Sequence, residues 1–80
     1  MPYIREAQRE LLDDGTFPED PGELNYKLTS VCTEYLAHHE ANYRTFNDII
    51  GALEAAKLEF YRRIVVPYEN KKVEQNGDVY

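Results

Sequence analysis

Thr45-Phe46-Asn47-Asp48-Ile49-Ile50-Gly51-Ala52-Leu53-Glu54-Ala55-Ala56-Lys57-Leu58-Glu59-Phe60-Tyr61-Arg62-Arg63-Ile64-Val65-Val66-Pro67 is the stretch that decides the fold of this 80-residue chain. Thr45 reads as a helix cap with Asp48 three residues on. Turning the chain by about 100° per residue gathers Ile49, Ala52, Leu53, Ala56, Phe60 and Ile64 into one stripe. A second apolar group, Ile50, Leu58, Tyr61 and Val65, falls on another side. Only a narrow band near Gly51, Ala55 and Arg62 remains for water. Two short companion helices can cover one stripe, so the other calls for a further partner. Pro67 interrupts the pattern, because its ring clashes with the carbonyl four residues earlier. The helix is therefore expected over about 46–66, either kinking at the proline or giving way to a new helix over 67–76. Asn76-Gly77 then forms a C-terminal stop.

Working toward the N-terminus, Asp20-Pro21-Gly22-Glu23 supplies a capping acid, a proline at the first helical position and a glutamate at the third. A helix over 21–37 follows, with Leu24, Leu28, Val31 and Tyr35 on one face, widened by Cys32 and Leu36. His38-His39-Glu40-Ala41-Asn42 reads as a turn. Pro2 suits the first turn of a helix over about 3–13, in which Ile4, Ala7 and Leu11 recur at helical spacing and Asp13-Asp14-Gly15 forms the stop. The expected fold is all-α, a small bundle of three to four helices with one long central helix. It forms a single domain over 1–80 and assembles as a homo-oligomer, a dimer or higher, through the long helix.

The net charge is −6, and it is unevenly spread. Residues 1–48 hold ten acids against four bases, whereas five acids face five bases from residue 49 onward. DNA and RNA binding draw on a basic surface and are disfavoured, as is attraction to anionic lipid. No apolar run approaches the roughly 20 residues of a membrane span. A single cysteine, Cys32, excludes an intrachain disulfide and suits a reducing compartment, as a buried small hydrophobe. The expected location is the cytoplasm, and the start shows no signal-peptide pattern.

The strings Pro21-Gly22-Glu23-Leu24-Asn25-Tyr26, Gly51-Ala52-Leu53-Glu54, Tyr61-Arg62-Arg63, Pro67-Tyr68-Glu69 and Asn76-Gly77-Asp78-Val79-Tyr80 resemble a family of short proteins of unknown function encoded by bacteriophages and bacteria. The resemblance implies a phage or prophage setting, with the host cytoplasm as location. By analogy with small phage proteins generally, it suggests a counter-defence role, through blocking a host protein or sequestering a nucleotide signal.

Candidate chemistry centres on bases and tyrosines. Arg62 and Arg63 are adjacent, with Lys57 one to two turns upstream and Lys71 and Lys72 beyond the proline. An inward-leaning arginine could bind a phosphate bidentately while Tyr61 or Tyr68 stacks on a base. The competing reading is an ion pair with Glu59 or with an acid on another helix. Asn25 and Tyr26 border the apolar face of the second helix, where either a neighbouring helix or a ligand would satisfy Asn25. Tyr80, with Val79, forms either an arm docking on a neighbour or a loose end. Glu54 and Glu59 could serve a metal-dependent nucleotide hydrolase, but five residues set them about 140° apart. No zinc pattern, phosphate loop or Ser/His/Asp set is discernible, and no metal or cofactor is implied.

Three functions follow as expectations. The first is a non-catalytic protein sequestering a phosphorylated small molecule, such as a cyclic nucleotide, between subunits. Its contacts would be Asn25, Tyr26, Lys57, Tyr61, Arg62, Arg63, Tyr68 and Tyr80. The second is an interaction module that inhibits a host protein through the acidic first part. The third is the hydrolase.

Overall fold

A computed structural model describes residues 4–80, and every regular element in it is helical. Pro2 and Tyr3, within the expected opening of the first helix, lie outside the described residues. The elements are α1 (Glu6–Asp13), α2 (Pro21–Ala37), α3 (Tyr43–Phe60), a π-turn (Tyr61–Val65) and α4 (Val66–Asn76). The last three form one unbroken helix, so the described residues form three helices, one of them long. At about 1.5 Å per residue the long helix spans roughly 50 Å. The chain divides into two compact units, the first ending at Thr45 and the second running Phe46–Tyr80.

In the first unit, Ile4 and Arg5 precede the helix, and α1 starts only at Glu6. Gln8 Oε1 accepts the Arg5 backbone N–H at 3.0 Å, which satisfies one of the donors a helix start leaves open. At the other end the Gly15 N–H bonds the Leu12 carbonyl, and Gly15 has φ +100°, a region that favours glycine. Helix α2 opens on Asp20, whose Oδ1 accepts the Glu23 N–H at 2.8 Å. The reciprocal half of the cap is displaced by one residue: Glu23 Oε1 accepts from the Glu19 N–H at 3.1 Å.

The face on which α1 rests differs from the one its apolar pattern suggests. Three polar contacts join the two helices. Gln8 Nε2 donates to Glu23 Oε2 at 2.8 Å, Tyr26 Oη donates to Asp13 Oδ1 at 3.0 Å, and Lys27 Nζ donates to the Leu12 carbonyl at 2.8 Å. Glu23, Tyr26, Lys27 and Ser30 are half-buried and recur at helical spacing. Leu24, Leu28, Val31 and Tyr35 lie about 120° further round and remain 45–59% exposed. The reason is compositional. Helix α1 brings little apolar surface beyond Leu12, and its carbonyl end attracts the Lys27 ammonium. Leu12, at 1% exposure, is the only fully buried side chain among the described residues.

The long helix starts at Tyr43, three residues before the expected Phe46. Asn42, not Thr45, is the cap, with its Oδ1 accepting the Thr45 N–H at 2.9 Å; Asn and Thr are both good caps, and the first suitable one in the chain prevails. At Pro67 the helix neither ends nor restarts. The Val66 N–H donates to the Tyr61 carbonyl five residues back, which makes the turn before the proline a π-turn. One extra residue widens that turn, so the ring avoids the carbonyl it would strike in a regular α-helix. Helix α4 ends at Asn76, where Gly77 takes φ +84° and its N–H bonds the Val73 carbonyl at 2.8 Å.

Leu53, Phe60 and Ile64, expected in a core stripe, and Ile50, Leu58 and Tyr61, of the second group, are 37–64% exposed. The sequence pattern foresees one stripe without a cover; both stripes hold residues open to water in the single chain.

Leu12→Ala should release α1 from α2 at a cost of about 2 kcal/mol or more. Hydrogen exchange should then show α1 amides losing protection while those of α3 keep theirs; unchanged α1 protection would contradict the packing described.

Candidate functional site

Three of the candidate residues, Tyr61, Arg62 and Arg63, occupy the π-turn. Lys57 precedes it by one turn and Tyr68 follows in the first turn of α4. The backbone irregularity that Pro67 demands thus coincides with the basic cluster. Glu59 organises this cluster: its Oε1 accepts from Arg62 Nη2 and its Oε2 from Arg63 Nε. Both arginine side chains nevertheless remain 72% exposed. Arg63, expected to lean inward at the edge of a core stripe, is solvated. Both arginines are ion-paired with Glu59.

One carboxylate serves two guanidinium groups, so the turn keeps an excess positive charge. Each arginine has five N–H donors, and the fork to Glu59 leaves most of them free for an anion. A second brace crosses the proline. Tyr61 Oη donates to Glu69 Oε1 at 3.2 Å, although the residues are eight apart. In a regular helix eight residues turn through about 80° beyond two full turns; the extra residue of the π-turn returns Glu69 to the side of Tyr61. Lys72 Nζ sits 5.5 Å from the Tyr68 ring centroid, a cation–π contact four residues apart. Lys57 pairs with Glu54 at 2.9 Å, both well exposed.

The other candidates are engaged locally. Asn25 Oδ1 accepts from Thr29 Oγ1 at 3.5 Å within α2, and Tyr26 holds Asp13. Tyr80 is fully exposed, with its backbone N–H bonded to Asp78 Oδ1 at 2.9 Å. His39 stacks on Tyr35, ring centroids 4.1 Å apart, and Cys32 is half-buried. Among the described residues no three of His, Cys, Asp and Glu come together as a metal site. Two contributors escaped the sequence reading. Lys27 shares a spacing of three and four with Glu23 and Ser30, a polar periodicity that was legible. Glu69 was not, since its bond to Tyr61 depends on the π-turn.

The arrangement can hold an anionic group through guanidinium and ammonium donors, with tyrosine faces beside it. Glu59 is held below its ordinary value of 4.5, first by Arg63 and then by Arg62. A carboxylate depressed on folding adds stability that is present above its unfolded pKa and lost as pH falls through the lower folded value. Helicity followed at 222 nm should accordingly weaken as pH falls below about 4.5, and Glu59→Gln should flatten that part of the curve. An identical acid limb in Glu59→Gln would contradict this assignment.

No helix among the described residues is long and apolar enough to cross a membrane. Neither a curated protein nor a solved structure matches the chain. A family model does match, over residues 1–79, described as a domain of unknown function, DUF6899. With nearly the whole length matched, the chain belongs to the DUF6899 family.

Proposed function

We propose that this chain is a non-catalytic, self-assembling binding protein that sequesters a phosphorylated small molecule of the cyclic-nucleotide class at an interface between copies. The setting proposed is a phage or prophage one, with action against host defence in the host cytoplasm. The observation that carries the reading is the pairing of two features on one helix. The first is apolar surface left open to water. The second is a turn where two arginines share a single carboxylate. Exposed apolar surface on this scale marks association sites, and an under-neutralised arginine pair suits phosphate. Tyr61 and Tyr68, half or more exposed, offer faces for a base.

The hydrolase reading finds no such support, because Glu54 is tied to Lys57 and Glu59 to the two arginines. One observation favours a second reading, inhibition of a host protein. The apolar face of α2 is exposed within the acidic part of the chain, which would suit a partner with an apolar groove and basic rim.

A panel of cyclic nucleotides, tested by thermal unfolding, separates the two. Ligand at about a hundred times Kd stabilises by roughly 2.7 kcal/mol, which for a domain of this size means a shift of several degrees. Arg62→Ala and Arg63→Ala should each abolish the shift without lowering the melting temperature of the free protein by more than a few degrees. No shift with any member of the panel would overturn the ligand proposal.

A further inference from the structure

We infer that the long helix pairs with the long helix of a second copy, antiparallel, along a stripe that the π-turn keeps in line. This rests on the self-assembly part of the function proposed above and specifies its geometry.

The register of the stripe comes first. Phe46, Ile49, Leu53, Ala56 and Phe60 step by three and four, the seven-residue repeat of a left-handed helix pair. Beyond Phe60 the next apolar members, Ile64 and Tyr68, step by four and four. In a regular α-helix this would swing Tyr68 about 80° away from Phe60. The π-turn spans Tyr61–Val65 and takes up one residue, so Tyr68 returns to the line of Phe60. The Tyr61–Glu69 hydrogen bond, between residues also eight apart, reports the same realignment independently. Pro67 imposes the π-turn, and the π-turn makes one continuous seam from Phe46 to Tyr68.

The seam itself exposes large apolar side chains. Phe46, Leu53, Phe60, Ile64 and Tyr68 are 42%, 37%, 61%, 56% and 61% exposed. Aromatics of this kind bury roughly 150–250 Å² in full, so about half of each seam side chain gives on the order of 500 Å² per chain. Two copies together then bury about 1,000 Å², the lower bound for a specific interface.

Direction follows from size and charge. An antiparallel register with its two-fold axis near Leu58 sets Ala56 against Phe60 of the second copy, Leu53 against Ile64, and Ile49 against Tyr68. Small then faces large at the centre. It also brings Lys71 of the second copy level with Phe46 and Asp48, and it opposes the helix dipoles. A parallel pair would set Ala56 on Ala56, Phe60 on Phe60 and Lys71 on Lys71, giving a gap, a crowded layer and a like-charge contact. The antiparallel arrangement carries a consequence for the ligand as well. Arg63, about 60° round from the seam, flanks the two-fold axis from both copies on one side, whereas Arg62 stays on the water-facing side of each helix. A phosphate there is held by both chains, and the single chain presents half of the site.

Pulsed electron–electron resonance on spin-labelled protein tests this directly. In a Cys32→Ser background, Asn47→Cys and Glu74→Cys are each labelled singly, and retained helicity is checked. Antiparallel pairing sets the Asn47 labels roughly 35 Å apart and the Glu74 labels roughly 45 Å apart, from the helix rise and the register above. Labels near 10 Å at both positions, read as dipolar broadening of the continuous-wave spectrum, would show parallel pairing and overturn the inference, as would an assembled protein lacking the longer distances. Absence of both dipolar modulation and line broadening would show single chains, which overturns self-assembly itself and not only its geometry.

Discussion

Water must be excluded from apolar side chains for a chain of this size to keep a unique fold, and here one chain does little of that excluding. A domain this small buries a modest fraction of its surface even when well packed. In this protein Leu12 is the only fully buried side chain among the described residues, while leucines, isoleucines and phenylalanines on α2 and the long helix stay open. Burial contributes about 25 cal/mol per Å² of apolar surface, so covering these faces is the largest stabilisation the chain has yet to collect. Oligomerisation is a common way for scaffolds of this length to obtain it.

Pro67 shapes how that cover can be supplied. A proline in the middle of a helix ordinarily breaks or kinks it. The wide turn over Tyr61–Val65 accommodates it, and the helix continues past the proline with Arg62 and Arg63 on the widened segment. Single π-turns recur at functional sites in other helices. Here the turn does two things at once: it aligns the apolar seam on either side of the proline, and it presents two arginines that Glu59 can only partly neutralise.

Much of this was legible in the residues. The Asp20-Pro21 start of α2, the Gly15 and Gly77 stops and the two-sided apolar pattern of the long helix all follow from capping chemistry and periodicity. What was hidden depends on choices between near-equal options. Asn42 and Thr45 are both competent caps, and only the folded chain shows which is used. A proline permits a kink, a restart or a π-turn, and periodicity read at a fixed 100° per residue sees only the first two. The face of α2 that receives α1 was hidden because its contacts are hydrogen bonds from Gln8, Tyr26 and Lys27, which carry no apolar signature. At the candidate site, the clustering of Tyr61, Arg62 and Arg63 was readable from adjacency, and so was Glu59 as their partner. The Tyr61–Glu69 brace was not, since residues eight apart share a side only across the widened turn.

The central claim is that another copy of the chain covers what one copy leaves open. Sedimentation equilibrium at micromolar concentration measures this most directly, because mass there is independent of shape. The account predicts a species whose mass is a whole multiple of 9.4 kDa, breaking down when Phe60→Asp places a charge in the seam. A folded species of 9.4 kDa that persists as concentration rises would contradict it.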